Sequence, residues 1–350
     1  MISALICQAM LSQAPRAALY EGLERGTLAS QAVTRALIDG SRGPDLARET
    51  AFYDVVIIGA GPAGSTFAVS LRAARPGARI LVVDRDHVGS HIFGNHGDFY
   101  SMTTASLPGS DENRIPGSPL QVSDFAPSQT PPPEHMNLAG LAALDHSGAD
   151  VLWDHEVVAV NDSRGAHRYD LHFRNGTSAR AHVVVMATGQ GPLSLDFFDE
   201  GTRLRLRAAL AAHTPGLMTF DDLATQAIAD RRAGTDPRAR YQGRKVVVLG
   251  RGVVSGKAAA FFGIQPTTTH TVESLPAGGF LINGAEADVV VLAVGAERDQ
   301  TNLFSRLTGD GSGGLVPVFG VAAQRPSQII AKRWVKSEGA ESAFFALGVA

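Results

Sequence analysis

Gly59, Gly61 and Gly64 follow the apolar run Val55-Val56-Ile57-Ile58 and open a helical pattern, which is the arrangement of a dinucleotide phosphate site. Gly59 lets the chain turn tightly out of a strand. Gly61 lets backbone amides approach a pyrophosphate with no side chain between, and Gly64 lets the next helix pack close to the sheet. Pro62 and Ala63 begin that helix, whose positive end faces the phosphates. A second apolar run, Ile80-Leu81-Val82-Val83, ends at Asp84, about 20 residues past Gly64, where an acid accepts hydrogen bonds from an adenosine ribose. Arg85 follows it and is grouped with the same site. A packing turn could carry three glycines, but it would not require strand, triplet, helix, second strand and terminal acid in register.

The elements that must hold these residues can be read outward from them. Ala63, Phe67, Ala68 and Leu71 recur at helical spacing over residues 62–74 and form the face toward the sheet. Ahead of the first strand, Leu11/Ala14/Ala18/Leu19/Leu23 and Ala29/Val33/Ala36/Leu37 suit two short amphipathic helices, read as a packed cap or substrate-side cover. A targeting peptide is disfavoured there by Glu21, Glu24, Asp39, Asp45 and Glu49. Beyond Asp84, residues 104–134 are rich in Pro, Ser, Gly and Asp and read as a long surface excursion or lid. A helix is expected from Asn137 to His146, then strands at 151–153, 157–160 and 168–174. His182-Val183-Val184-Val185-Met186 suits a strand buried on both faces. Phe220 to Ile228 reads as a short helix with an acidic cap, and Arg231 to Gly243 as a linker.

The opening theme returns at Val246-Val247-Val248-Leu249-Gly250-Arg251-Gly252, with Ser255 at the third small position. The polar run Thr267-Thr268-Thr269-His270-Thr271 replaces the apolar second strand, and Val289 to Val294 closes the copy at Gly295. That interval is short for a complete nucleotide-binding half, so two readings stand: a nicotinamide nucleotide site, or a shrunken structural remnant. Arg251 is equally a phosphate partner or a solvated side chain.

The chain has 350 residues and a formal charge of -3 with both signs mixed, which gives no electrostatic case for nucleic acid. Its single cysteine, Cys7, excludes an internal disulfide and a C-x-x-C pair, so electrons would pass through a bound cofactor or a substrate. No uninterrupted apolar stretch reaches transmembrane length, and a cytoplasmic location is the default expectation.

These residues resemble the two-dinucleotide-binding-domain flavoprotein superfamily, the group of the pyridine-nucleotide-disulfide reductases and the flavin monooxygenases. The resemblance rests chiefly on Val56 through Gly64 with Ala68 and Leu71, and extends over most of residues 53–325. It implies FAD at the first glycine turn, with Asp84 in place of the family's usual glutamate. Glu156-Val157 resembles the strand whose backbone contacts the adenine, so Val157 joins the expected site. Ala187-Thr188-Gly189 matches the turn where the chain passes between domains, and Ala293-Val294-Gly295 resembles the second such turn. Gly250, Gly252 and Ser255 resemble the second fingerprint, which implies NAD(P)H as the second nucleotide if that copy binds one.

Departures are equally specific. No aspartate stands in Val318-Phe319-Gly320-Val321-Ala322-Ala323, where the family holds the ribityl chain, so flavin would lean on backbone amides from Gly320 onward. The redox cysteine pair is missing, and Phe93-Gly94-Asn95-His96 lacks the spacing of the monooxygenase F-x-G-x-x-x-H motif.

The fold class expected is α/β: a Rossmann-like FAD-binding domain, a second, shortened dinucleotide-binding-like domain and an N-terminal helical extension. The expected division is 1–50 for the extension, 51–192 and 301–350 for the FAD-binding domain and 193–300 for the second domain. His96 as acid/base, Tyr100 for orientation and His91 are the catalytic candidates, because they fall in the loop after the second strand and histidine titrates near neutrality. Satisfied loop residues without a chemical role are the competing reading. No metal is expected, since His87, His91, His96 and Asp98 fit no short zinc spacing. The function expected is FAD-dependent oxidation or monooxygenation of a small organic molecule, in specialised metabolism. The alternatives are an NAD(P)-only or non-catalytic dinucleotide-binding protein, and a flavoenzyme with no net redox. The partner expected is a small-molecule substrate, with no nucleic acid and no membrane; a homodimer stays open.

Overall fold

The computed structural model describes residues 14–41, 43, 46, 51–85, 107–108, 114–115, 117–129, 131, 133–162, 169–188, 193–269, 271–275, 279–295, 315–320, 329–336 and 341–349. The chain divides into two compact units, Met1–Gly94 with Ser101–Gln190 and Asp299–Ala350 in one, and Asn95–Tyr100 with Gly191–Arg298 in the other.

In the first unit the chain contributes strands β1 (Ala51–Ile58), β2 (Ile80–Val83), β3 (Asp150–Leu152), β4 (Val157–Asp162), β5 (Tyr169–Phe173) and β6 (Ser178–Met186). The second unit supplies β7 (Leu217–Thr219), β8 (Val246–Leu249), β9 (Glu273–Ser274), β10 (Phe280–Ile282), β11 (Ala285–Ala287) and β12 (Val289–Leu292). The chain then returns to the first unit with β13 (Leu315–Gly320), β14 (Ile329–Lys336) and β15 (Glu341–Val349).

The first unit is three-layered. Its sheet runs β13-β14-β15-β6-β1-β2-β3, with β15, β6, β1, β2 and β3 mutually parallel. The strict alternation of side chains along β1 and β2 separates its two faces. Val55, Ile57, Ile80 and Val82 pack beneath helices Arg16–Glu24, Ser30–Gly40, Pro62–Ala74 and Pro133–Ser147. Val56, Ile58, Leu81 and Val83 pack against the antiparallel ribbon of β4 and β5. The N-terminal helices are part of this core: Leu19, Leu23, Val33, Ala36 and Leu37 are all buried within it.

Two sequence expectations are corrected here. The stretch 104–134, read as a surface excursion, carries Ile115, Leu120 and Val122, which are buried; Ile115 and Val122 pack with Val69, Met136 and Ala139. These three apolar side chains tie the described part of that stretch to the core. The following helix begins at Pro133 and not at Asn137, because proline at the first helical position loses no hydrogen bond and has its φ preset.

The second unit repeats the plan at smaller size. Parallel strands run β7-β12-β8, with helices Phe220–Arg232 and Val253–Phe262 on one face and the antiparallel set β9-β10-β11 on the other. The expected linker 231–243 is a correction. The helix continues to Arg232, and Tyr241 is buried in the core with its hydroxyl donating to Gln226 Oε1 at 3.0 Å. The helix Glu200–Ala211 and strand β7 were not legible in the mixed stretch before it. No described helix is long and apolar enough to cross a membrane.

Candidate functional site

One transverse row of residues crosses the first sheet at its carboxyl edge. Paired in sequence across seven strands are Gly320, Lys332, Ala346, Met186, Ile58, Val83 and Leu152. Immediately beyond this row lie Gly59, Asp84 and Ala187, so three separately predicted parts of the site share one edge. Gly320 ends β13 on the same edge, four strand spacings from Ile58, or roughly 19 Å at about 4.8 Å per strand. An open parallel sheet presents its ligand crevice at this edge.

The three glycines of the turn have different reasons to be glycine. Gly59 has φ 106°, and a Cβ built on it would sit 2.3 Å from the Ala187 carbonyl oxygen. A Cβ on Gly64 would sit 2.0 Å from the Gly59 carbonyl oxygen. Both are therefore fixed by the protein's own packing. Gly61 has an ordinary φ of -67° and caps the helix Pro62–Ala74, and a Cβ placed on it would have no atom within 4 Å. A residue kept bare beside open space suits the close approach of a ligand.

Asp84 is held from three sides. Its N–H donates to the Leu152 carbonyl at 3.0 Å, its carbonyl accepts from His155 N–H at 2.9 Å, and its carboxylate accepts the Ala60 N–H at 2.8 Å. The acid is thereby aimed at the glycine turn. Pro62 and Ala63 form the first helical turn, and Ala63 is buried. Ala187 N–H donates to the Ile58 carbonyl at 2.7 Å, which locks the Ala187-Thr188 turn beside Gly59. The Thr188 hydroxyl is buried and has no hydrogen-bond partner among the described residues. A buried hydroxyl in that condition is costly unless something else pairs with it.

Val157 is buried at the start of β4, and Glu156 before it pairs bidentately with Arg174, whose Nε and Nη2 donate at 2.6 and 2.8 Å. The Arg174 guanidinium holds the Glu156 carboxyl below the usual carboxylate range. Arg85 is exposed beside Asp84. His91, His96, Tyr100 and Gly189 lie outside the described residues, and of Gly320 the backbone is described. Among the described residues no group of three or more His, Cys, Asp or Glu could hold a metal ion. Sequence reasoning did not name Ala60, whose contribution is a backbone N–H, or the Glu156 and Arg174 pair. A main-chain donor leaves no side-chain signature.

The second turn repeats the geometry. Gly250 has φ 150°, and a Cβ on it would sit 2.2 Å from the Ala293 carbonyl oxygen. Gly252 caps the helix Val253–Phe262 at φ -99°, and a Cβ there would likewise have no atom within 4 Å. Ser255 is buried and donates to the Gly252 carbonyl at 2.7 Å.

The model of the pyridine nucleotide-disulphide oxidoreductase family matches residues 53–277, which takes in both glycine turns. The chain belongs to that family. Its cofactor is FAD, and the family is one of FAD- and NAD(P)-binding oxidoreductases. Beside the first turn Gly61, Asp84 and Thr188 offer a bare approach, an acceptor and a hydroxyl with no partner among the described residues. A curated relative, lycopene beta-cyclase from Paracoccus sp. (strain N81106 / MBIC 01143), is 31% identical over 152 residues, 40% of this chain and 36% of that protein. The chain thus aligns with about a third of that relative's length. Among solved structures, an ornithine N-hydroxylase from Kutzneria sp. 744, with reduced FAD, NADP+ and L-ornithine, is 14% identical at a TM-score of 0.54, covering 85% of this chain and 92% of that one. Bacillithiol disulfide reductase from Bacillus cereus is 17% identical at a TM-score of 0.50, covering 84% and 90%. These two share the fold with this family member.

Proposed function

We propose that this flavoprotein oxidises or monooxygenates a small organic molecule of specialised metabolism, with a nicotinamide nucleotide at the second glycine turn as the electron source. The observation that supports it is Gly252, bare beside open space at a helix N-terminus, as Gly61 is in the FAD turn. A shrunken remnant kept only for packing would need glycine at Gly250, where the Ala293 carbonyl leaves no room, but not at Gly252. FAD, when bound, supplies the electron transfer itself. The chain's own part is to hold the pyrophosphate on the helix Pro62–Ala74 and to bind the adenosine ribose at Asp84. His96 as acid/base, Tyr100 and His91 remain the proposed residues at the substrate side.

A second reading keeps the flavin but performs no net redox, using it to hold or polarise the substrate. It is favoured by the likeness to lycopene beta-cyclase, since cyclisation by itself is an isomerisation. An absorbance spectrum of the purified protein separates the readings, taken before and after NADH or NADPH is added without oxygen. A flavin spectrum that bleaches is the expected result. A flavin spectrum that persists overturns the nicotinamide-driven reading, and the absence of flavin overturns the placement of FAD.

A further inference from the structure

The two glycine turns correspond residue by residue, and the correspondence exposes one place where their chemistry is reversed. Gly59 N–H donates to the Val83 carbonyl at 2.7 Å, and Gly250 N–H donates to the Thr267 carbonyl at 3.2 Å. Ala187 N–H donates to the Ile58 carbonyl at 2.7 Å, and Ala293 N–H donates to that of Leu249 at 2.8 Å. Ile58 pairs in parallel with Val83, and Leu249 forms a parallel bridge to Thr267. Thr267 therefore stands where Val83 stands, although no strand forms there. It follows that Thr268 occupies the place of Asp84 and Arg251 the place of Ala60.

Positions 60 and 84 touch in the first turn, where the Ala60 N–H meets the Asp84 carboxylate at 2.8 Å. By this register Arg251 and Thr268 hold the corresponding two positions of the second turn. The first turn has a small neutral residue and an anion at this spot; the second has a cation and a neutral hydroxyl. An acid there accepts from the ribose hydroxyls and repels a phosphate on the 2′ oxygen, whereas a guanidinium with a hydroxyl attracts one. Both side chains are exposed, and the Arg251 guanidinium lies 5.2 Å from the Phe197 ring centroid, which keeps it at the turn.

We propose that the second turn selects a 2′-phosphorylated adenosine, with Arg251 and Thr268 as specificity-determining residues, so that the protein takes NADPH in preference to NADH. This rests on the reading of that turn as a nicotinamide nucleotide site. The test uses the FAD-loaded protein, with adenosine 2′,5′-bisphosphate and 5′-AMP titrated by calorimetry into wild type, Arg251→Ala and Thr268→Asp. The bisphosphate should bind at least about tenfold tighter than 5′-AMP to wild type. Arg251→Ala should weaken the bisphosphate by about the same factor and leave 5′-AMP unchanged, and Thr268→Asp should abolish the preference. Equal binding of both probes to wild type, or indifference to Arg251→Ala, overturns this inference alone. Binding of neither probe while FAD stays bound overturns the nicotinamide reading and the inference with it.

Discussion

The Asp84 carboxylate accepts the Ala60 backbone N–H at 2.8 Å, which ties the end of the second strand to the glycine turn that follows the first. The acid proposed to bind a ribose is thus oriented by the same loop that is proposed to cradle the pyrophosphate. Hydrogen bonds from Asp84 to Leu152 and from His155 to Asp84 fix its backbone to the sheet edge. Orienting the acceptor before the ligand arrives lowers the ordering cost of binding.

Removing that carboxylate should weaken FAD retention. Asp84→Ala should cost about 1.5–3 kcal/mol of FAD affinity, the usual worth of a hydrogen bond to a charged group, and Asp84→Asn should cost less because it still accepts from Ala60. Flavin fluorescence on titration into the stripped protein measures this. Unchanged affinity in Asp84→Ala would remove the ribose from this position.

Gly61 and Gly59 should respond oppositely to a side chain. The Cβ of Gly61→Val meets no protein atom within 4 Å and sits at an ordinary φ, so thermal unfolding of the flavin-free protein should stay within about 0.5 kcal/mol of wild type while FAD is lost. Gly59→Ala should destabilise the fold by several kcal/mol, roughly 3 or more, because its Cβ collides with the Ala187 carbonyl at a left-handed φ. Flavin retained after desalting of Gly61→Val would contradict the pyrophosphate placement.

Tyr53 is fully buried in β1, and its hydroxyl donates to Asp150 Oδ2 at 2.9 Å on β3, bridging strands that do not pair directly. Burial and that hydrogen bond push its phenol above the usual range. Tyr53→Phe should lower stability by about 1 kcal/mol, read from the midpoint of urea unfolding, without altering the flavin spectrum.

His135 gives the protein an acid-sensitive spot. Burial holds its imidazole below the ordinary value of 6.5; its Nδ1 is buried without a partner among the described residues, and its ring meets Phe125 edge-on. At pH values well above 6.5 both folded and unfolded forms are neutral, so stability is unaffected there. As the pH falls through 6.5 the unfolded chain takes up the proton first, and stability declines until the folded form is protonated too. His135→Phe should therefore lose less stability than wild type between about pH 7.5 and 5.5, followed by urea unfolding at each pH. Equal losses would place the acid sensitivity elsewhere.

Much of the first unit was legible because its signals are local. The helix Pro62–Ala74 and the strand ending at Met186 fall where glycine spacing and unbroken apolar runs put them, since turn geometry and burial act over a few residues. Thr267 illustrates the opposite case. Its polar neighbours hid a second-strand position, because one parallel bridge and two backbone hydrogen bonds hold it there and neither needs an apolar side chain. Ile115, Leu120 and Val122 were hidden likewise among turn-forming residues, and only their burial reveals them.

The sequence by itself determined the two strand-glycine-helix units, the acid at residue 84 and the lack of a cysteine pair, all written in residue types at short range. The tertiary structure alone decided that Gly61 and Gly252 are bare beside open space while Gly59, Gly64 and Gly250 are bare because the backbone crowds them. It also decided which residue takes the place of Asp84 in the second turn. That equivalence rests on pairing across strands, and hydrogen-bond register between segments distant in the chain leaves no trace in the spacing along it.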